Sequence, residues 1–228
     1  KLGVAVSENE LIFAYLFDTY IIVAVLILLL IVVTLFILKE DKKNNAGEKL
    51  SESELLQLLA DGESKNFELK SSLRWDYKEG KLNKKLEEVI IKSVSAFNNY
   101  EVGYLVIGID DDKNILGLSN DYASLKKNDS DYFELHLRNL ISSAFTVDSA
   151  RKININFITI DGKEICVVKI AKGDYPLFMK TTDKNGKQQE KIFIRSGNSS
   201  QEIDTLIEKN NYISFRFNGE RNNQKMIF

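Results

Sequence analysis

Gly103-Tyr-Leu-Val-Ile-Gly-Ile-Asp110 decides the fold class. Tyr104 to Ile109 is almost wholly apolar and β-branched, which predicts a central strand. Asp110-Asp-Asp-Lys-Asn114 is turn chemistry and Ile115-Leu116-Gly117 returns from it, so a hairpin is expected. Upstream, Asn66 to Ser71 alternates, with Phe67 and Leu69 on one side and Glu68 and Lys70 on the other, the period of a half-buried strand. Between the two, Leu86 to Phe97 carries Leu86, Val89, Ile90, Val94 and Phe97 at helical spacing. Downstream, Asp131 to Phe145 sets Phe133, Leu137, Leu140, Ile141 and Ala144 on one stripe, a second core-facing helix. Ile153 to Ile160, the turn Asp161-Gly162-Lys163 and Glu164 to Ile170 predict a β-hairpin. Lys191 to Arg195 predicts a further strand, and Ser199-x-x-Glu202 a capping box opening a last helix through about Lys209. At the other end, Ser51-Glu-Ser-Glu caps a short amphipathic helix carrying Leu55, Leu56, Leu58 and Leu59 and ending at Asp61-Gly62. This order lacks the repeated βα rhythm of a doubly wound sheet, so the class is α+β, one mixed domain with a central sheet flanked by helices.

The 228 residues carry 31 Lys and Arg against 33 Asp and Glu, averages of an ordinary globular chain. Tyr20 to Leu38 departs from them, with nineteen residues and no charge. Roughly 30 Å of hydrocarbon needs about 20 apolar residues, so this run predicts a transmembrane helix at about 20–38 that meets the lipid bilayer. Lys39, Lys42, Lys43 and Lys49 follow the run while only Lys1 precedes it, which orients residues 39–228 to the cytosolic side of an inner membrane as a single-pass protein. The expected organisation is therefore 1–38 for the terminal segment and span, 39–50 for a polar tether, 51–210 for the domain and 211–228 for a tail. Outside the span, Lys1 stands against Glu8, Glu10 and Asp18, which leaves residues 39–228 with 30 basic and 30 acidic side chains. That balance excludes a polycationic nucleic-acid coat. A single Cys and a single His exclude an internal disulfide, a zinc cluster and two-histidine acid-base chemistry. His136 at the edge of a helix stripe and Cys166 within a strand read as structural.

Four polar residues form a candidate chemical constellation. Glu68 and Lys70 leave one face of a strand, Glu63 lies just ahead of it, and Asp110 closes the central strand. Were the two strands neighbours, three carboxylates would converge and repel each other unless Mg2+ or Mn2+ sat among them, with Glu63, Glu68 and Asp110 as ligands. Such an ion polarises a phosphodiester and Lys70 would stabilise the developing charge. A Glu and Lys on an exposed strand face, however, are commonly no more than a solvated pair. A second cluster is basic and aromatic. Lys65, Arg74, Lys78, Lys81, Lys84 and Lys85 are interleaved with Trp75, as phosphate and base contacts require, although a solvated loop has the same composition. Arg195 beside the expected helix start at Ser199 is a further anion-contact candidate.

Glu63-Ser-Lys-Asn-Phe-Glu-Leu-Lys-Ser-Ser, Ser95-Ala-Phe-Asn-Asn, Gly103-Tyr-Leu-Val-Ile-Gly-Ile-Asp-Asp-Asp and Lys191-Ile-Phe-Ile-Arg-Ser-Gly-Asn-Ser-Ser occur in that order, with Tyr175-Pro176 ahead of the last. Together they resemble the Schlafen AlbA-like domain over about residues 51–210. The resemblance implies ribonuclease roles for Glu63, Glu68, Lys70 and Asp110, a structured RNA such as tRNA as substrate, a divalent metal, and homodimerisation, since larger relatives close two lobes around RNA. It also implies a stress or phage-defence effector. One departure is Val102, where the family usually has the first of two glycines. Gly103 and Gly108 have part of the spacing of a phosphate-cradling loop but are followed by Ile109-Asp110, so ATP binding is not expected. Two other readings stay open, a tethered non-catalytic nucleic-acid-binding module and a membrane scaffold for a protein partner.

Overall fold

The computed structural model describes residues 19–35, 50–145, 153–183 and 185–218. The chain divides into two units, Lys1–Glu48 and Lys49–Phe228.

In the first unit, residues 19–35 form a helix (α1). Within it the Thr34 hydroxyl donates to the Leu30 carbonyl at 2.7 Å, a local bond that satisfies this polar group inside an apolar run. Among the described residues no helix is long and apolar enough to cross a membrane. At 1.5 Å per residue α1 reaches only about 26 Å. The expected span at 20–38 is therefore not established by the described helix, and 36–38 lie outside the described residues, as do 39–49 of the tether and 219–228 of the tail.

The second unit opens with α2 (Glu52–Asp61), where the N-cap expected at Ser51 is a full capping box: Ser51 N–H donates to Glu54 Oε2 at 2.8 Å and Glu54 N–H to Ser51 Oγ at 3.3 Å. There follow β1 (Phe67–Lys70), the short ribbon β2 (Trp75–Asp76) and β3 (Lys81–Leu82), α3 (Lys85–Asn99) and β4 (Gly103–Ile107). Next come α4 (Ser119–Ala123), α5 (Ser130–Ala144), β5 (Ile153–Ile160) and β6 (Lys163–Ile170). The chain continues through β7 (Phe178–Thr182), β8 (Gln188–Ser196), β9 (Ser199–Ile203) and α6 (Leu206–Ile213), with a wide π turn at Ser214–Asn218.

The main sheet has the order β1-β4-β6-β5, with β1 and β4 parallel and the other pairs antiparallel. A second antiparallel sheet runs β7-β8-β9. One face of the main sheet packs Phe67, Leu69, Val106, Ile165 and Val167 against Leu55 and Leu59 of α2. The other packs Leu105, Ile107, Cys166, Val168 and Ile170 against α3 and α5, with Met179 and Phe193 of the second sheet joining the same core. The β5–β6 hairpin turns at Asp161 and Gly162 with φ of 50° and 73°, the left-handed pair that a two-residue hairpin needs.

Three expectations are corrected. β1 is covered on both faces: Phe67, Glu68 and Leu69 are all buried, because α3 lies over the side the alternation assigned to solvent. β4 does not form a hairpin with 115–117. Its sheet neighbours are β1 and β6, and Ile109–Ile115 is an isolated bridge beyond Gly108, whose φ of 107° ends the strand. Ser199-x-x-Glu202 is strand, not helix cap. Gly197 at φ 62° turns the chain back so that β9 pairs with β8, and Glu202 accepts from Lys191 Nζ at 2.8 Å across the strands. The last helix is capped six residues later by the same signature, with Glu208 N–H donating to Thr205 Oγ1 at 3.3 Å.

Candidate functional site

β1 and β4 are indeed parallel neighbours, in the register Glu68–Leu105 and Lys70–Ile107. The carboxylates nevertheless go to separate partners. Glu68 points beneath α3 and β8, where Oε1 takes Ser93 Oγ at 2.9 Å and Lys70 Nζ at 2.7 Å while Oε2 takes Arg195 Nη1. Glu63 is exposed and accepts the Leu69 N–H at 2.9 Å, closing the turn into β1. Asp110 accepts Asn114 N–H at 2.8 Å and Asn114 Nδ2 at 3.0 Å, closing the loop after β4. Among the described residues no group of three or more His, Cys, Asp or Glu is placed to hold a metal ion. The donor set expected for Mg2+ or Mn2+ therefore does not fit in this arrangement, because Glu68 is neutralised by two cations instead of by a metal.

Arg195 is not the surface anion contact expected of it. Its side chain is 0% exposed. Besides Glu68 it donates to Ser64 O at 2.9 Å, Lys65 O at 3.2 Å and Ser200 Oγ at 3.2 Å, and its guanidinium lies 4.5 Å from the centre of the Phe97 ring. Phe97 in turn packs closely against Gly103, where a Cβ would approach Phe97 Cδ1 to 2.0 Å. Arg74 is also buried: its Nε is 3.2 Å from Glu87 Oε1, an ion pair without hydrogen-bond alignment, and the same oxygen meets His136 Nε2 at 2.8 Å.

Lys70 and Asp110 do come together. Both line a cleft of about 800 Å3 with Ser71, Ser72, Trp75, Asp76, Tyr77, Lys78, Leu86, Asp111, Asp112 and Leu116. Lys70 Nζ spends two donors on Glu68 and on the Leu69 carbonyl at 2.8 Å, which leaves a third for a ligand. Lys78, Lys81, Lys84 and Lys85 are exposed along the ribbon and the start of α3, and Lys65 is exposed ahead of β1. Sequence reasoning missed what shapes the cleft's wall. Asp121, 1% exposed, takes Ser72 Oγ at 2.7 Å, Arg74 N–H at 2.9 Å and Leu73 N–H at 3.2 Å, and so pins the loop that presents Trp75. Burial pushes the Asp121 carboxyl up from its ordinary value, against four hydrogen bonds that pull it down. Burial likewise raises the Tyr77 phenol. Asp121 lies in Ser119–Ala123, too short for a periodic signal, and only its contacts reveal it.

The model of the family described as Schlafen, AlbA_2 matches residues 63–204, from Glu63 to just beyond β9. The chain belongs to the Schlafen AlbA_2 family. A search of the curated proteins gave no match. Among solved structures, the chain is similar to the DIP2311 protein from Corynebacterium diphtheriae at 16% identity and a TM-score of 0.41, over 61% of this chain and 25% of that one. The family points to a nucleic-acid-related function. Within this Schlafen AlbA_2 domain the four sequence blocks turn out to be one assembly: Glu68 of the first, Phe97 of the second, Gly103 of the third and Arg195 of the fourth touch in series. Asn99 of the second block completes it, donating to Leu177 O at 3.0 Å and Phe193 O at 3.0 Å and accepting from Leu177 N–H at 2.7 Å, which staples α3 to the second sheet.

Proposed function

We propose that the second unit binds RNA, structured and tRNA-like, through the cleft at the end of β1 and β4. One observation carries this: the free donor of the Lys70 ammonium and the chain's only tryptophan, Trp75, line the same cleft, with exposed Lys78, Lys81, Lys84 and Lys85 leading away from it. Aromatic faces stack on unpaired bases and ammonium groups hold phosphates. Lys81 is partly spent on Glu79, so Lys78, Lys84 and Lys85 are the stronger phosphate contacts. The test is retention of tRNA by the purified chain over a salt series. Trp75→Ala should cost about 1–3 kcal/mol of affinity. Charge reversal at Lys84 and Lys85 should lower the salt slope by roughly 2. Unchanged retention in all these variants refutes the assignment and leaves a protein scaffold.

Metal-dependent endoribonuclease cleavage is the second reading, favoured by Lys70 and Asp110 sharing the cleft. It requires Glu63 and Glu68 to leave their present partners. Incubation of tRNA with Mn2+ and either the wild-type chain or Asp110→Asn discriminates. Products from the wild type alone, with binding intact in both, support hydrolysis, and equal inertness supports binding only.

We further propose that the first unit anchors the protein to a bilayer, with the domain on the cytosolic side. The support is that large apolar side chains of α1 are between 45% and 74% exposed, Ile21 and Tyr20 marking the limits, in a run with no charge. Release of the full chain from membranes by alkaline carbonate would refute it.

A further inference from the structure

The cleft holds more acid than base: Asp76, Asp110, Asp111 and Asp112 face Lys70 and Lys78. A bare sugar-phosphate track would meet a wall of the wrong sign, so phosphate attraction alone does not account for what the cleft accepts. Its carboxylates fall into two kinds. Asp76 is committed to the N–H groups of Lys78 and Glu79 at 3.0 and 3.2 Å and to Asn83 Nδ2 at 3.0 Å, and Asp110 is committed to Asn114. Asp111 and Asp112 are exposed, and among the described residues neither side chain has a hydrogen-bond or ion-pair partner. The groups left for a ligand are thus the half-buried Trp75 ring in the cleft wall, two carboxylates and an ammonium donor on Lys70.

Their complement brings an aromatic ring, N–H donors and a phosphate, which is an unpaired nucleotide, and about 800 Å3 accommodates one. The bases differ in what they offer a carboxylate. Guanine presents N1–H and N2–H side by side, matching two carboxylate oxygens. Adenine and cytosine present one amino group beside an acceptor, and uracil one N–H between two acceptors. We propose that this cleft selects an unpaired guanine, stacked on Trp75, its Watson–Crick edge read by Asp111 or Asp112 and its phosphate held by Lys70. The proposal rests on the RNA-binding reading of the same site and names what that site recognises.

Because Trp75 is the only tryptophan, its fluorescence reports stacking in the intact protein. The full chain is titrated with GMP, AMP, CMP and UMP in buffer containing EDTA, and tRNA retention is measured on the same preparation. GMP should quench at a concentration at least about tenfold below the other three. The double substitution Asp111→Asn and Asp112→Asn should bring GMP to the level of AMP while leaving AMP unchanged. Equal quenching by all four nucleotides, or a GMP preference that survives the double substitution, overturns the proposal. So does quenching by all four that appears only when Mg2+ replaces EDTA, since the acids would then be holding a cation against phosphate. tRNA retained with no base preference sinks the guanine assignment alone. Loss of both retention and quenching sinks the RNA-binding reading beneath it.

Discussion

Replacing Arg195 by Met keeps the aliphatic stem over Phe97 and removes the guanidinium. In the native chain that group is fully buried and serves Glu68, Ser64 O, Lys65 O and Ser200 Oγ at once. Without it the Glu68 carboxylate, whose side chain is 7% exposed, keeps only Lys70 and Ser93, and two carbonyls ahead of β1 lose their donor. Breaking a buried pair from one side costs about 3–5 kcal/mol. For a domain of this size that is roughly 10 °C in the unfolding midpoint. Urea unfolding followed by Trp75 fluorescence reads the loss. The companion variant carries Arg195→Met with Glu68→Leu, which removes the orphaned charge, and it should be more stable than Arg195→Met alone by about 1 kcal/mol or more. The opposite pattern refutes the placement: Arg195→Met within about 0.5 kcal/mol of wild type, with tRNA retention reduced tenfold, would make Arg195 an exposed phosphate contact.

Gly103→Ala drives a methyl group into Phe97, the ring beneath Arg195. It should destabilise the domain by about 1–3 kcal/mol, and Phe97→Leu in the same chain should recover part of that loss; additive losses would contradict the contact. Asp121 supplies a pH dependence. Its folded pKa lies above the unfolded one because burial outweighs its hydrogen bonds. The folded state therefore binds the extra proton, and this group's contribution to stability falls as pH rises from about 4 through the folded pKa. Carbon-13 titration of the Asp121 carboxyl should find a value above 3.8, and a value below it would reverse the sign.

Local chemistry was legible wherever a short segment satisfies itself. The Ser51 N-cap, the Asp161-Gly162 hairpin turn and the stripe of α5 appear as the sequence reads them, whereas α3 keeps Ile90, Val94 and Phe97 inward but buries Ile91 and leaves Val89 exposed. Where two segments carry one signature, the reading could not choose. Ser199-x-x-Glu202 and Thr205-x-x-Glu208 are the same capping pattern, and pairing with β8 takes the first into a strand. The site shows the same limit. Glu63, Glu68, Lys70 and Asp110 are recognisable as a family pattern, and Lys70 and Asp110 do share a cleft. That Glu68 is answered by an arginine 127 positions away was invisible, as was the pinning of the Trp75 loop by Asp121, 49 positions beyond Ser72.

The order of residues alone therefore determined the α+β class, the uncharged run at 20–38 and the family to which the domain belongs. Tertiary structure decided which charged groups are free to meet a ligand and which are spent on holding two sheets together. The physical reason is that a turn or a helix face is settled by neighbours a few residues apart. The fate of a buried charge depends on which distant counter-charge the packing brings within about 3 Å, and no spacing along the chain encodes that.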